Sequence, residues 1–197
     1  MATSTRDSSR YDPSDVTDDE QPFDLSRIAE VFLRHGVRYV AIGGVSGLLH
    51  GAVEYLTVDV DVLVRSDQEN LDRVVAALTE LGASSAGELT AADLDGNTQW
   101  NRPAGPIDVL LTATGPNDTF LVYADVQPAS ELFEVGNGQL VSTASLDDVI
   151  RMKEATGRQK DHIALPELRR LRGDPHPERS RDDDPFEGFE LDEDHDD

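Results

Sequence analysis

The chain has 197 residues, 38% of them hydrophobic, and a formal net charge of −23 at pH 7. This size supports one domain with its own core. The absence of cysteine excludes disulfides, thiol nucleophiles and cysteine-ligated metals. No apolar run approaches the length of about 20 residues that a membrane span needs, and the polar N-terminus lacks the apolar stretch of a secretory signal. We therefore expect a cytoplasmic protein with no membrane partner.

The negative charge is concentrated at the two ends of the chain. Residues 1–24 carry 2 basic and 7 acidic residues, and residues 173–197 carry 2 basic and 12 acidic residues. Both ends are poor in apolar residues, which predicts disordered acidic tails around a folded domain at 25–172. Within this domain, residues 151–172 carry 7 basic and 3 acidic residues, so its positive charge lies mostly in the last helical part. An acidic protein is a poor general ligand for nucleic acids.

Hydrophobic periodicity and turn residues predict an α/β fold in which helices flank a short mixed sheet. The predicted helices cover 24–34, 46–50, 66–81, 118–124, 145–155 and 160–171. The predicted strands cover 39–42, 57–64, 98–101, 107–112, 131–135 and 139–141. Residues 83–96 are weakly patterned, and we expect an irregular strand and loop there. The segment 145–172 should form a small C-terminal helical part of the domain.

The most informative stretch is residues 43–64. It opens with Gly43-Gly44 after an apolar strand, and it continues into a second strand that contains Asp59 and Asp61. Side chains at i and i+2 of a strand point to the same face, so the two carboxylates should project together. Such a pair is often only a solvated edge, but like charges in apolar surroundings resist burial, and Mg²⁺, which prefers oxygen ligands, would relieve the repulsion.

A third carboxylate, Asp108, lies in the apolar strand predicted at 107–112. If this strand is a neighbour of the Asp59 and Asp61 strand, three acids meet at one edge. That is the composition of a two-metal phosphoryl-transfer site, where the metals lie about 3.5–4 Å apart. The glycine pair would let backbone N–H groups approach a phosphate closely. Ser46, predicted at a helix start, would either add a hydroxyl donor and the helix dipole or serve only as a helix cap.

These residues resemble a known family. A glycine pair after a strand, a serine two residues later and three strand aspartates look like the nucleotidyltransferase fold of the polymerase-beta superfamily, here as Gly43, Gly44, Ser46, Asp59, Asp61 and Asp108. Residues 145–153, followed by Arg158-x-Lys160-Asp161, are similar to the C-terminal signature of small bacterial nucleotidyltransferases related to the AbiEii and MenT toxins. The resemblance covers roughly residues 25–172.

The resemblance implies Mg²⁺-dependent transfer of a nucleoside monophosphate from a nucleoside triphosphate (NTP) to a hydroxyl group. The implied metal ligands are Asp59, Asp61 and Asp108, which would also be catalytic. The implied NTP-binding residues are Gly43, Gly44, Ser46, Lys153 and Lys160. Asp161 would complete the rear of the site, and it competes with Asp108 for the role of the acid or base. A basic last segment in an acidic domain fits a triphosphate held between metals and lysines.

The acceptor and the biological role stay open at this point. A small molecule, a protein and tRNA are all candidate acceptors, and a cationic small molecule such as an aminoglycoside suits the acidic charge. The resemblance also suggests a toxin with an antitoxin protein as partner, which the net charge argues against. Relatives often carry a further acid three residues after the Lys-Asp pair, where this chain has Ala164. This departure favours an alternative, a catalytically silent nucleotidyltransferase-like protein that binds or regulates a partner.

Overall fold

The computed structural model describes residues 23–52, 57–82, 90–94, 98–100 and 104–173. Its helices are α1 (Leu25–His35), α2 (Gly43–Leu49), α3 (Gln68–Glu80), α4 (Tyr123–Val126), α5 (Leu146–Thr156) and α6 (Gln159–Arg172). Its strands are β1 (Tyr39–Ile42), β2 (Val60–Val64), β3 (Thr98–Trp100), β4 (Ile107–Leu110), β5 (Ala113–Thr114), β6 (Phe120–Leu121), β7 (Glu131–Glu134) and β8 (Leu140–Thr143). The acidic ends, apart from their innermost residues, and most of 83–96 lie outside the described residues.

Six of these strands form one mixed sheet in the order β3-β4-β2-β1-β8-β7. The pairs β2/β4 and β1/β8 are parallel, and the other three neighbouring pairs are antiparallel. Strands β5 and β6 form a separate small hairpin. The α/β class predicted from the sequence is therefore confirmed. In the described ranges, no helix has the length and apolar character needed to cross a membrane.

Several helix ends lie where the sequence predicts them, because the capping groups are present. Three side chains that favour helix starts accept a hydrogen bond from the backbone N–H three residues later, namely those of Asp24, Asp67 and Ser145. Helix α1 ends at Gly36 and α5 ends at Gly157, both in the left-handed conformation that favours glycine. The caps separate α5 from α6 by only two residues, so the C-terminal part is a helical hairpin.

The sheet is covered on both faces by apolar clusters. Helices α1 and α3 contribute to the first cluster, whereas α5 and α6 contribute to the second. In β2 the valines belong to the first cluster and Leu63 to the second, so Asp61, which alternates with the valines, points to the α5–α6 face. In β4, Ile107 and Val109 belong to the first cluster. Asp108 lies between them, so it points to the opposite face, the α5–α6 face, as Asp61 does.

The structure differs from the prediction at three places near the predicted site residues. Strand β2 begins at Val60, so Asp59 precedes the strand. Helix α2 begins at Gly43, so Ser46 lies inside the helix and does not open it. The helix predicted over 118–124 is wrong, because residues 120–121 pair with β5 and a helix begins only at Tyr123.

Candidate active site

Gly43 makes the connection between β1 and α2, and its backbone requires glycine. Its φ is +66°, in the left-handed region that L side chains rarely adopt. A Cβ atom at this position would also lie 2.8 Å from Cγ of Asp61 and closer still to Oδ2. The backbone at Gly43 and the carboxylate of Asp61 therefore meet in direct contact, and nothing larger than hydrogen fits between them.

The predicted aspartates converge on this point. Asp61 lies beside Asp108 in register across the parallel β2/β4 pair, and Asp59 is two residues before Asp61. Burial, followed by the charges of Asp59 and Asp108, raises the pKa of Asp61 to about 6. The opposing positive charges of Lys160 and Arg158 lower it only in part. The charges of the three carboxylates thus act on one another. From the sequence, this is expected only if the two strands that carry them are neighbours.

Lys153 and Asp161 join α5 to α6 through a buried ion pair. The Nζ atom of Lys153 lies 3.2 Å from Oδ1 of Asp161, and their side chains are 5% and 0% exposed. The other carboxylate oxygen accepts hydrogen bonds from Thr156 Oγ1 (2.8 Å) and Arg158 Nε (2.9 Å). Although burial raises the pKa of Asp161, the hydrogen bonds from Arg158 and Thr156 and the charge of Lys153 bring it down to about 2.

A single cleft brings the two halves of the predicted site together. One wall contains Gly43 and Asp61, and the other contains Lys153, Thr156 and Arg158. The rest of the lining is mostly apolar and comes from the ends of β1 and β4, the β5–β6 hairpin and α5, as Ile42, Leu110, Thr112, Ala113, Thr114, Phe120, Val149 and Met152. A carboxylate thus faces cations across a partly apolar cleft, which is an arrangement suited to an anionic ligand with an apolar part.

The remaining predicted residues lie at different distances from this cleft. Lys160 is exposed in the first turn of α6 and acts on Asp61 through its charge. Gly44 is buried within α2. Ser46 is fully buried, and its hydroxyl donates to the carbonyl oxygen of Ala144 at 3.1 Å. In this conformation the Ser46 hydroxyl is used inside the protein, where it fastens α2 to the segment before α5.

Two residues that were not among the predicted site residues, Thr156 and Arg158, line the cleft. Thr156 has no distinctive sequence signal, yet it lines the cleft and donates to Asp161. Arg158 also lines the cleft, and its position two residues before Lys160 is the signal that identifies it. Ala164, where relatives carry an acid, is buried among apolar side chains of the second cluster. An acid at that position would point into the core of this protein and not into the cleft.

The carboxylate oxygens of the site are donors of the kind that Mg²⁺ prefers. Within the described ranges, no group of three His, Asp or Glu side chains is already gathered closely enough to hold a metal ion. The chemistry of the site nevertheless fits a divalent cation, because Asp61 and Asp108 are in register and Asp61 is partly buried among like charges. A cation held by these carboxylates would relieve that repulsion.

Comparison with known proteins identifies the fold. The sequence matches no protein-family profile and no curated protein sequence. The structure is similar to that of the antibiotic-resistance factor ANT(2″)-Ia, with a TM-score of 0.51 and 16% sequence identity over 78% of this chain and 85% of that one. It also matches an antigenic nucleotidyltransferase-like protein from Paracoccidioides brasiliensis, with a TM-score of 0.48 and 17% identity over 79% and 77% of the two chains. The chain has the nucleotidyltransferase fold.

Proposed function

We propose that the protein is a Mg²⁺-dependent nucleotidyltransferase that moves a nucleoside monophosphate from an NTP to a hydroxyl group. One observation carries the proposal, namely the cleft with Gly43 and Asp61 on one wall and Lys153 and Arg158 on the other. Cations in a cleft favour a polyphosphate, and the carboxylate of Asp61 in the same cleft would help to hold a metal ion. NTP and Mg²⁺ are both cytoplasmic solutes, so we propose a cytoplasmic location.

The proposed roles follow from the position of each side chain. Asp59, Asp61 and Asp108 would hold Mg²⁺, which neutralises charge on the phosphates and lowers the barrier to their displacement. The missing side chain at Gly43 lets the carboxylate of Asp61 lie against the backbone, and we propose that the polyphosphate binds next to this contact. Arg158 and Lys153 would face the phosphates, with Lys160 as a more distant positive charge.

The proposed reaction is one displacement at the α-phosphorus. The acceptor oxygen forms a bond to this phosphorus while the bond to the bridging oxygen of the β-phosphate breaks, and pyrophosphate leaves. The proton of the acceptor hydroxyl passes to a base, for which we propose Asp108. Asp161 is the poorer candidate, because its side chain is fully buried, both its oxygens accept hydrogen bonds and its pKa is lowered to about 2. We propose that Asp161 positions Lys153 and Arg158.

The net charge of the chain suggests which acceptors to test first. A small cationic acceptor suits the net charge of −23, and the similar structure ANT(2″)-Ia is an antibiotic-resistance factor. We therefore propose aminoglycosides as the first acceptors to test, with proteins and tRNA after them. A toxin paired with an antitoxin is the second proposal from the resemblance, and growth arrest on expression, relieved by a neighbouring gene, would support it.

The first test is ligand-dependent unfolding, measured with each of the four NTPs in the presence and absence of Mg²⁺. A ligand at 100 times its dissociation constant stabilises a protein by about 2.7 kcal/mol, which is a shift of a few degrees for a domain of this size. The variant Asp59→Asn/Asp61→Asn should show no such shift. Asp147→Asn is the matched control, because Asp147 lies on the solvent side of α5, and it should respond as the wild type does.

Transfer itself is read with an α-labelled NTP and a panel of acceptors. Labelled acceptor and released pyrophosphate in equal amounts would support the proposal. Label transfer that persists in the double variant would contradict the assigned roles. No NTP-dependent shift and no transfer, together with a stable protein partner in pull-downs, would favour the catalytically silent alternative.

A further inference from the structure

We propose that Phe120 stacks on the base of the bound nucleotide, an inference that rests on the proposed function. Phe120 lines the cleft and is 73% exposed. It lies in β6, where it pairs with Thr114 of β5, whereas the next residue, Leu121, is buried. The hairpin thus anchors itself through Leu121 and leaves an aromatic ring at the opening of the cleft.

The turn of this hairpin is held by local hydrogen bonds. Two successive residues that are not glycine, Asn117 and Asp118, have φ values of 56° and 59°. The turn is closed by a hydrogen bond from the Gly115 N–H to the Thr119 carbonyl (2.8 Å) and by the Thr119 hydroxyl, which donates to the Pro116 carbonyl (2.7 Å). Asn and Asp adopt the left-handed region more readily than other L residues, and two successive residues with positive φ are common in hairpin turns. The turn therefore closes the β5–β6 hairpin that carries Phe120.

Helix α5 contributes both apolar and charged side chains to the lining of the cleft. Val149 and Met152 line the cleft together with Ala113 of β5. Lys153 follows Val149 by four residues, which is one helical turn, or about 6 Å along the axis. A ligand with its phosphates at Lys153 and Arg158 would therefore meet an apolar wall one turn away.

A nucleobase is the part of an NTP that fits such a wall. It is flat and largely apolar on its faces, and an aromatic side chain stacks on any of the four bases. We assign Phe120 to the base and not to the acceptor, because it shares the cleft with the groups that would bind the triphosphate of the same molecule. The ring would increase affinity for all NTPs and contribute little to the choice among them.

The test compares an NTP with inorganic triphosphate, which has the same chain of three phosphates and no nucleoside. Binding of each in the presence of Mg²⁺ is measured by calorimetry for the wild type, Phe120→Ala and Phe120→Tyr. Stacking on one base predicts that Phe120→Ala weakens NTP binding about tenfold and leaves triphosphate binding unchanged, while Phe120→Tyr keeps both. Leu132→Ala is the matched control, because Leu132 is 68% exposed on β7, at the far edge of the sheet.

Each outcome decides the question. Unchanged NTP affinity in Phe120→Ala would overturn the inference, and so would an equal loss for triphosphate, which would mean a disturbed cleft. Phe120→Leu separates stacking from apolar bulk, and NTP affinity equal to the wild type in that variant would overturn the stacking. A wild-type protein that binds triphosphate and NTP with equal affinity would overturn this inference alone. A wild-type protein that binds neither would overturn the proposed function and this inference with it.

Discussion

Gly43 and the carboxylate of Asp61 lie so close that a Cβ atom on residue 43 would collide with Oδ2 of Asp61. Gly43→Ala should therefore lose stability from two causes, the left-handed backbone and the collision. Gly36→Ala is the matched control, because Gly36 has the same φ of +66° and its nearest atom would be 3.9 Å away. We expect Gly36→Ala to cost about 1–2 kcal/mol from strain alone, Gly43→Ala to cost more, and only Gly43→Ala to lose NTP binding. Equal losses in denaturant unfolding would contradict the contact.

Asp61 should make the metal-free protein less stable as the pH rises. Its pKa is raised from 3.8 to about 6 in the folded state, so its contribution favours folding fully below about pH 4 and is lost as the pH rises through 6. A rise in pKa from 3.8 to about 6 corresponds to a difference of about 3 kcal/mol in unfolding free energy, at about 1.4 kcal/mol for each pKa unit. With EDTA present, Asp61→Asn should be more stable than the wild type at pH 8 by at most about 3 kcal/mol, and the difference should disappear near pH 4. Parallel curves for the two proteins across this range would show that Asp61 is not perturbed.

The Lys153–Asp161 pair should be far more important for stability than a surface pair between the same helices. Asp161→Asn leaves the buried ammonium of Lys153 without its charged partner, and we expect a loss of about 3–5 kcal/mol in unfolding free energy. Glu154→Gln is the control, because Glu154 lies 2.6 Å from Arg169 between α5 and α6 with both side chains exposed. Its expected cost is about 0–1 kcal/mol. A double variant, Lys153→Met/Asp161→Asn, should lose less than the sum of its two single changes.

Ala164 gives a direct test of whether an acid is missing from the site. Ala164→Asp would bury a carboxylate in an apolar cluster, so we expect at least about 3 kcal/mol of destabilisation and no gain in transfer. Ile163→Asp, one residue earlier and 69% exposed, should be close to neutral. If Ala164→Asp folded normally and increased transfer, Ala164 would face the site after all.

Most helices and strands could be predicted from the sequence, because the signals that define them lie within the segments themselves. Cap residues, glycines and apolar periodicity placed α1, α3 and α5 within one or two residues. The i, i+2 spacing of Asp59 and Asp61 predicts a shared face only if both lie in the strand, whereas β2 begins at Val60. The position of Asp108 beside Asp61 depends on β2 and β4 being neighbours. Strands far apart in the chain make that contact, and no local pattern reports it.

The errors have the same physical origin. Ser46 is predicted at a helix start but lies inside α2, because the residue at which so short a helix begins is decided by what packs against it. The hairpin that carries Phe120 was predicted as a helix, although Pro116-Asn117-Asp118 carries a turn signal, since Asn and Asp tolerate the left-handed region. Pairing with β5 decides the backbone there, and it agrees with the turn signal at 116–118 and not with the helix predicted over 118–124.

The buried pair between α5 and α6 has a consequence for the order in which this protein is made. Gly43 and Asp61 leave the ribosome long before Lys153 and Asp161, and domains commonly fold as they are synthesised, at about 5–20 residues per second. A nascent chain that ends before α6 has one wall of the cleft and a lysine without its acid. Nucleotide binding should therefore begin only when α6 emerges and docks, so that a chain truncated before residue 158 should not bind NTP.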